Sequence, residues 1–422
     1  MGSGASSPST VREDISIGNI IGEGSFATVR RAVYIPKCTE LAVKVICVKD
    51  CLSRKGSLNI LKSEITALKT LQYHPLLCNL HFAYHDNVNC YMVMDLLEGG
   101  DLRHHINNSF QFTEKCIAFI AACISSALHH VHSHGIIHRD VKPENIVLDR
   151  QGYPRLCDFG ISHTSSTASG SMVCSHSSGT LCYLAPEILT SSQRHSTESD
   201  FWSLGIVLYE LMFLKRPFSK HCPRSFVHFV GELYDEIWDS SKYVGTVTTH
   251  LSYRQSEASI PVSTPVSLND TADDVTSVES MPLPQSLQVN LPSVSAYGIE
   301  VSPEFKSLIQ GLLDVRVPQR LGSGATYNAL RGHSFFENLG VPWDSLLDVK
   351  YPSPLDINLY SISAYVEQNF AKKSSQFPLI KREKFFNPQA ELNEALQLYS
   401  YTAPQYKSPK VDISIRSTFR LS

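Results

Sequence analysis

Three stretches of the sequence read glycine–x–glycine, a pattern whose exposed backbone N–H groups can hold phosphate. They are MGSGAS at residues 1–6, IGEGSFATV at 21–29 and RLGSGAT at 320–326. None completes G-x-G-x-x-G, because Ala27 stands at the third glycine position of the best candidate. The second stretch is the one predicted to hold phosphate, since a predicted strand enters it and Lys44 lies on the next. The third stretch follows a helical pattern, so we predict a turn between helices.

A second set of motifs carries charged and hydrogen-bonding groups in a fixed order. HRDVKPEN occupies residues 138–145, DFG begins at Asp158, and APE occupies residues 185–187. GEGSFATV and LAVK precede them in the chain. Order and spacing match the protein-kinase signature set. From Ile15 to Glu337 the sequence therefore resembles the eukaryotic protein kinases.

That resemblance implies phosphoryl transfer, which depends on positioning and charge neutralisation. Asp140 would accept or orient the proton of the substrate hydroxyl. Lys142 resembles the lysine that serine/threonine kinases place near the γ-phosphate, so the acceptor is expected to be Ser or Thr. Asn145 and Asp158 would bind Mg²⁺, a hard ion that prefers oxygen ligands. The predicted catalytic residues are thus Asp140, Lys142, Asn145 and Asp158, and the last two are the predicted metal ligands.

The resemblance also implies an ATP site. Lys44 would contact the α- and β-phosphates, with Glu64 on the following helix as its partner. Met94 resembles the gatekeeper, and the backbone of Asp95, Leu96 and Leu97 the hinge that binds adenine. Ala27 is expected to stiffen the phosphate-binding loop and weaken ATP binding. The residues predicted to bind ATP are Ile21, Gly22, Glu23, Gly24, Ser25, Phe26, Ala27, Val29, Ala42, Lys44, Glu64, Met94, Asp95, Leu97, Asp101 and Val147.

Three further residues are expected to support the site. Thr180 resembles the threonine that supports Asp140 in serine/threonine kinases. Glu187 should pair with Arg320, and Asp200 should tie the catalytic loop to its buried helix.

The elements that must position these groups follow from hydrophobic periodicity. LAVKVICV is typical of a buried strand, and LNILKSEITALKTL has apolar residues at helical spacing. Beyond the strand pattern CYMVMDLL the chain becomes helical, with Thr113 and Ser302 as predicted N-caps. This order predicts an α+β, two-lobed protein kinase fold with a cleft between a small β-rich N-lobe and a larger helical C-lobe.

Composition and patterning predict the domain boundaries. Residues 1–14 form a Ser/Gly-rich flexible start and residues 15–337 the kinase domain. Within it we expect an N-lobe at 15–94, a hinge at 95–100 and a C-lobe at 101–337. An insertion at about 240–290 is rich in Ser, Thr, Val and Pro and is predicted to be disordered. Residues 338–422 form the predicted C-terminal tail, in which AELNEALQLY (390–399) is a candidate short helix.

Bulk properties exclude several classes of protein. The 422 residues carry a net charge of −3 without a dense run of Lys or Arg, which argues against nucleic-acid binding. Eleven cysteines lack paired spacing and no secretory segment opens the chain, so we expect thiols in a reducing cytoplasmic compartment. No apolar run approaches 18 residues, and no membrane span is predicted.

MGSGAS fits a myristoylation signal through Gly2 and Ser6, and its alternative reading is a flexible start. A single myristoyl chain binds membranes marginally, so partial and reversible membrane association is expected.

Other segments resemble one branch of the kinases. RLGSGATYNALRGHSFF and VPWDSL resemble the AGC group, while MVMDLLEGGDLRHHI and NPQAELNEAL resemble its YANK subfamily. The usual AGC activation-loop phosphosite falls on His176, and no aromatic-x-x-aromatic-Ser/Thr motif closes the tail. Activation by double phosphorylation is therefore not expected.

Several interpretations stay open on sequence alone. The chain could be a catalytically inactive nucleotide-binding scaffold with the same fold. Arg139 could pair with a phosphate on Ser175, Ser177 or Ser178, and the alternative is a mobile polar loop. The histidines between 129 and 138 lie around a helix end and favour packing over metal binding. Glu144 and Asp101 could favour basic residues before the acceptor, and Cys157 could be a reactive thiol.

Overall fold

The computed structural model describes residues 13–23, 27–48, 57–86, 88–164, 180–189, 195–218, 289, 291–322, 324–374, 396–403 and 405. They divide into two compact units, which are described one at a time. The first unit comprises residues 1–101, 147–160 and 345–422, and the second comprises residues 102–146 and 161–344. Predictions that concern Gly2, Ser6, residues 24–26, the activation-segment serines, and residues 240–290 except Val289 lie outside the described residues.

Strands and helices are numbered along the described chain. The strands are β1 (Ile15–Glu23), β2 (Ala27–Tyr34), β3 (Thr39–Cys47), β4 (Leu80–His85), β5 (Asn89–Asp95), β6 (Ile136–Ile137), β7 (Ile146–Leu148), β8 (Pro154–Leu156), β9 (His163–Thr164) and β10 (Tyr401–Thr402). The helices are α1 (Ser57–Leu71), α2 (Leu102–Asn107), α3 (Glu114–Ser133), α4 (Pro186–Leu189), α5 (Thr197–Phe213), α6 (Pro303–Leu312), α7 (Tyr327–Arg331), α8 (Ser334–Asn338), α9 (Trp343–Leu346) and α10 (Leu359–Ser374).

The first unit is built on an antiparallel sheet with the strand order β1-β2-β3-β5-β4-β10. Strand β3, which is rich in β-branched residues, lies between two other strands of this sheet, as its apolar run predicts. One face of the sheet buries a cluster that joins five strands, because apolar residues on each strand point to the same side. The cluster consists of Ile15, Ala32, Leu41, Val43, Phe82, Tyr84 and Val93.

Helix α1 carries the predicted apolar stripe of this unit. Leu61, Ile65, Leu68 and Leu71 are buried, at the three- and four-residue spacing of one helix face. The side chain of Leu58, predicted to begin the stripe, lies outside the described residues. The same helix therefore holds Glu64 at a fixed place beside the sheet.

The tail adds two elements to the first unit that the sequence did not predict. Helix α10 packs against β1, and β10 extends the sheet by pairing with β4. Most side chains described in α10 are exposed, so its apolar stripe is too weak to be recognised in the sequence. Of the predicted helix at 390–399, the described part is helical at residues 396 and 397.

The second unit is centred on two long helices. Thr113 Oγ1 caps α3 by accepting a hydrogen bond from Cys116 N, and the chain leaves the helix at Gly135 with φ of 72°. Helix α5 is buried on nearly all sides, as predicted. Helix α3 is long and apolar enough to cross a membrane by length and composition, but most of it is buried inside the protein. Its apolar character is accounted for by this core position against α5.

Candidate active site

An ion pair in the first unit joins strand β3 to helix α1. Lys44 Nζ lies 2.5 Å from Glu64 Oε1 and 3.6 Å from Asp158 Oδ1. Burial lowers the pKa of Lys44, but the two carboxylates outweigh burial, so its pKa is raised above the usual value. The ammonium group therefore stays charged, and the pairing predicted for Lys44 and Glu64 is present.

Asp158 follows strand β8 and has a backbone conformation that residues other than glycine rarely adopt. Its φ is 62°, while Phe159 beside it is fully buried. The backbone N–H of Gly160 donates to Asp158 Oδ1 at 3.3 Å. The Asp158 side chain is nevertheless 48% exposed, so a cation could approach its carboxylate from solvent. Left-handed backbone at a non-glycine residue is a strain often found at functional sites.

The predicted adenine-binding residues lie on neighbouring strands of the first unit. Val29 on β2 is paired with Lys44, and Ala42 on β3 is paired with Met94. Val147 forms a bridge with Asp101. The sheet register thus places three of the predicted nucleotide-binding residues, Val29, Ala42 and Met94, near Lys44.

The segment after β5 leaves backbone groups unused. Within the described chain, neither the N–H nor the C=O of Leu97 has a hydrogen-bond partner. Two residues on, Gly99 N donates to Leu148 O at 2.8 Å. A Cβ at Gly99 would lie 2.6 Å from Leu148 Cβ, so only glycine permits this approach. The segment is anchored at Gly99, while Leu97 can bond to a ligand.

The structure describes the strand residues on either side of the turn in the glycine-rich stretch at 21–29. Gly22 pairs with Val29, and Glu23 pairs with Thr28, in the β1–β2 ladder. Ile21 also lies on β1, while Ala27 begins β2. Gly24, Ser25 and Phe26 lie outside the described residues. The ladder brings the ends of the predicted phosphate-binding turn together.

The third glycine stretch is a packing turn. A Cβ at Gly322, where φ is 121°, would lie 2.1 Å from the Phe201 ring. Short 3-10 helices flank this position at Val317–Gln319 and Gly324–Thr326. The predicted turn between helices is confirmed.

The second unit contains the catalytic loop, in which Asp140 is held by three side chains. Thr180 Oγ1 donates to Oδ1 at 2.8 Å, and the Thr180 N–H donates to the same oxygen at 3.1 Å. Lys142 Nζ donates to Oδ2 at 2.6 Å and to Thr180 Oγ1 at 2.9 Å. Asn145 Nδ2 donates to Oδ2 at 2.9 Å and to the Asp140 carbonyl at 2.8 Å. Asp140, Lys142 and Asn145 are therefore brought together with fixed orientations.

Asp200, at the first turn of α5, holds the backbone of the catalytic loop in place. Its carboxylate accepts hydrogen bonds from the backbone N–H groups of His138 and Arg139, at 2.9 and 2.8 Å, and from His132 Nε2 at 2.8 Å. Burial would raise the pKa of Asp200, but these donors outweigh it and the pKa is lowered. The tie predicted between Asp200 and the catalytic loop is present.

Arg139 has a backbone φ of 69°, and its Nε donates to the Ile161 carbonyl at 2.5 Å. Its predicted pairing with a phosphate concerns serines outside the described residues and stays a prediction.

An arginine that sequence reasoning missed neutralises the acidic residues near the loop. Arg103 Nε lies 2.7 Å from Glu144 Oε1, and its Nη1 lies 2.9 Å from Glu210 Oε1. Its Nη2 donates to the Tyr183 hydroxyl at 2.6 Å. Glu144, expected to favour basic residues in the substrate, already has a cationic partner. Because Arg103 is 41 residues from Glu144 and 107 from Glu210, no local pattern could reveal the cluster.

The predicted pair Glu187–Arg320 is also present and is fully enclosed. Two hydrogen bonds of 2.7 and 3.0 Å join the guanidinium to the carboxylate, and the ring of Trp202 lies 5.1 Å from Arg320 Cζ. Arg320 is 0% exposed, so this bidentate pair is structural.

The histidine-rich run is spread over different contacts. His129 stacks on Tyr327 at 4.0 Å, His132 binds Asp200, and His138 is buried in the loop. Among the residues that the structure describes, no group of three or more His, Cys, Asp or Glu could hold a metal ion. The binding of Mg²⁺ by Asp158 and Asn145 stays a prediction.

Comparisons with known proteins agree with this geometry. The model of the protein kinase domain matches residues 15–336. The chain is 31% identical to Protein kinase 2 of Dictyostelium discoideum over 338 residues, which cover 80% of this chain but 56% of that protein. It is 30% identical to Serine/threonine-protein kinase Sgk1 of Homo sapiens over 360 residues, covering 84% of this chain and 67% of Sgk1. The chain belongs to the protein kinase family, and its relatives support protein serine/threonine kinase function.

Proposed function

We propose that this chain is an active serine/threonine kinase that transfers the γ-phosphate of ATP to hydroxyl groups of proteins. The arrangement around Asp140 carries the proposal. A carboxylate held by Thr180, Lys142 and Asn145 has a defined direction in which to accept a proton, and defined direction is what general-base catalysis requires.

Each of these residues has a separate task in the second unit. Asp140 orients the attacking hydroxyl and accepts its proton. Lys142 donates one hydrogen bond to Asp140 and one to Thr180, and its third N–H together with its positive charge can neutralise charge on the transferred group. Asn145 uses its amide nitrogen on Asp140, which leaves its amide oxygen for a cation.

The residues of the first unit fit a magnesium–nucleotide complex. Lys44 is a partly exposed cation kept in place by Glu64, so it can reach the α- and β-phosphates. Asp158 presents a half-exposed carboxylate, and hard oxygen donors suit Mg²⁺. Mg²⁺, when bound, neutralises phosphate charge as the bond to the leaving group breaks. The backbone N–H and C=O of Leu97, which have no partner among the described residues, suit the edge of adenine.

Transfer of radiolabelled phosphate to a degenerate peptide library tests the proposal. The full chain should label peptides with Ser or Thr acceptors, and Asp140→Asn should reduce the rate to background. Binding of a fluorescent nucleotide should persist in Asp140→Asn, since this residue belongs to the transfer step. Equal background rates in both proteins, with nucleotide binding retained, would instead support the inactive scaffold.

We further propose that the chain is an AGC-type kinase and nearest to the YANK subfamily. Similarity to Sgk1 across 84% of the chain supports the broader placement, as do VPWDSL and the tail segment paired with β4. Because His176 stands at the usual phosphosite, His176→Ala should leave the activity in the peptide assay unchanged. Loss of activity in His176→Ala would contradict this expectation.

The N-terminal sequence supports one further proposal, that Gly2 is myristoylated and the kinase is cytoplasmic with a membrane-associated fraction. Coexpression with the acyltransferase should add one myristoyl group to the intact mass, and Gly2→Ala should abolish the increment. An unchanged mass in the wild-type chain would reject acylation, whatever the kinase assay shows.

A further inference from the structure

A histidine in the first unit lies where a strand is irregular. Leu80 pairs with Met94 and Phe82 pairs with Val93, so β4 advances two residues while β5 advances one. His81 is the extra residue of this β-bulge. Bulges redirect a side chain from the alternation of a regular strand and occur next to active sites.

The bulge aims His81 at the last residue of β5. Nε2 of His81 lies 2.7 Å from Asp95 Oδ1, and His81 is 6% exposed. The other oxygen of Asp95 accepts two hydrogen bonds from Asn79, at 3.0 Å from its N–H and 2.7 Å from its Nδ2. The Asp95 N–H returns a hydrogen bond of 3.1 Å to the Asn79 carbonyl. Hydrogen bonds therefore fix both the side chain and the backbone of Asp95.

Asp95 directly precedes Leu96 and Leu97, and the backbone groups of Leu97 have no hydrogen-bond partner within the described chain. A carboxylate with three donors cannot rotate without breaking charge-assisted hydrogen bonds. Burial alone would raise the pKa of Asp95, but His81 and Asn79 outweigh burial and the pKa is lowered. The cluster thus keeps Asp95 ionised and fixes the start of the hinge.

The C-terminal tail supports His81 from its other side. Ala403 N donates to the His81 carbonyl at 2.7 Å, and Gln405 Nε2 lies 3.4 Å from His81 Nδ1. The amide nitrogen of Gln405 is a donor, so this hydrogen bond makes Nδ1 the acceptor, and the Nε2–H group then donates to the Asp95 carboxylate. Tail and hinge are linked through one imidazole ring.

We propose that His81 is a positioning residue for nucleotide binding, acting through Asp95 on the hinge backbone, with the tail at Ala403 and Gln405 supporting it. The inference rests on the proposed function, since it assumes that the hinge binds adenine. His81 touches neither nucleotide nor substrate, so its effect should fall on the affinity for ATP.

Four variants of the full chain test the role of His81. His81→Ala removes the donor, His81→Gln can place an amide nitrogen near the position of Nε2, and His81→Asn is a shorter amide that cannot reach it. His85→Ala is the matched control, because His85 lies on the same strand but is exposed and contacts the neighbouring Asp86 carbonyl. KM for ATP, kcat, KM for peptide and the Kd of a fluorescent nucleotide are measured for each.

The expected result is a rise in KM for ATP of about tenfold in His81→Ala and His81→Asn, the loss of one charge-assisted hydrogen bond. The kcat and the KM for peptide should stay within about twofold in these variants, because the second unit is unchanged. His81→Gln and His85→Ala should resemble wild type. Gln and Asn are both polar amides, so general destabilisation should affect both variants alike. A difference in KM for ATP between them would therefore report the position of the donor.

The tail is tested with a pair of substitutions at residue 403. Ala403→Pro removes the N–H that donates to His81, whereas Ala403→Gly keeps it. The proline variant should raise KM for ATP by about threefold, as expected for one neutral hydrogen bond, and the glycine variant should not.

Equal nucleotide affinity in His81→Gln, His81→Asn and His81→Ala would overturn the inference, as would a loss confined to kcat. Equal behaviour of the two Ala403 variants would remove the tail from it. Failure of the wild-type chain to bind nucleotide would overturn the proposed function itself, and the two failures are thereby distinguished.

Discussion

Thr180 Oγ1 donates a 2.8 Å hydrogen bond to Asp140 Oδ1, although 40 residues separate them in the chain. The same carboxylate oxygen also accepts the Thr180 N–H. Residue 180 therefore controls the orientation of the proposed base with its backbone and its side chain together. Only the side-chain part can be removed by substitution.

Thr180→Val should lower kcat by about 10- to 100-fold, since one hydrogen bond to a charged group is lost at the reacting centre. Valine keeps the shape of threonine, so stability should change little. Thr180→Ser keeps the hydroxyl and should stay near wild type. Steady-state rates at saturating ATP check the prediction, which a twofold or smaller loss in Thr180→Val would contradict.

Glu64→Gln should make activity sensitive to alkaline pH. Glu64 and Asp158 raise the pKa of Lys44, so the wild-type ammonium keeps its charge as pH rises. Without the Glu64 charge, that pKa falls toward or below its unfolded value of about 10.4, and deprotonation begins at lower pH. The alkaline limb of kcat/KM for ATP should therefore move to lower pH.

The matched control for Glu64 is Glu40→Gln on β3. Glu40 pairs with Arg31 at 3.0 Å at the surface of the protein. Its removal should leave the pH profile in place. A shared shift in both variants would show that the effect is not specific to Lys44.

Arg103→Gln should destabilise the second unit by about 2–4 kcal/mol, because it removes the cation in direct contact with the buried Glu210 carboxylate. Glu144→Gln should cost less than about 1 kcal/mol, since the Glu144 side chain is 41% exposed and water can replace its partner. Unfolding in urea measures both. Similar losses in the two variants would contradict the assignment of Glu210 as the dominant partner.

Asp200→Asn should lower stability at neutral pH by about 2 kcal/mol, because charged hydrogen bonds to the catalytic loop become neutral. The folded pKa of Asp200 is lowered, so its contribution is complete above the unfolded pKa of about 3.9 and is lost as pH falls through the folded pKa. The difference between wild type and variant should therefore shrink in acid. Denaturant unfolding between pH 7 and pH 3 measures it, and a difference that grows with acid would contradict the assignment.

Alanine substitutions at Gly322 and Gly22 test the different roles of the two glycine-rich stretches to which these residues belong. Gly322→Ala should cost about 3 kcal/mol or more, since alanine meets both a left-handed backbone and the Phe201 ring. Gly22→Ala should cost much less, because an added Cβ meets Val29 Cβ at an ordinary distance of 3.6 Å. Thermal unfolding compares them. Any effect of Gly22→Ala should appear in the KM for ATP instead.

Several features could be predicted because their causes are local. The order of HRDVKPEN, DFG and APE identifies the family, and apolar spacing of three and four residues locates α1. Side chains close in sequence, such as Lys142 and Asn145, reach Asp140 within one loop. Thr113 caps α3 for an equally local reason, through a bond to Cys116.

Other features depend on partners far apart in the chain. Arg103 contacts Glu210, and His81 contacts Gln405, which lies 324 residues away in the chain. The residues around Arg103 or His81 in the sequence therefore do not reveal these partners. The bulge that aims His81 arises from the pairing of β4 with β5, which no residue of β4 signals alone. Helix α10 lacks a strong apolar stripe and packs against β1, while β10 has only two residues and depends on its pairing with β4.

The amino-acid sequence was therefore sufficient for the fold class and the kinase family, since motif and periodicity are properties of short segments, and it predicts which residues act on phosphate. The neutralised acidic cluster at Arg103 and the fixation of the hinge through His81 emerged from the folded chain. Burial and strand register bring distant polar groups within hydrogen-bonding distance, and their energies depend on that enclosure.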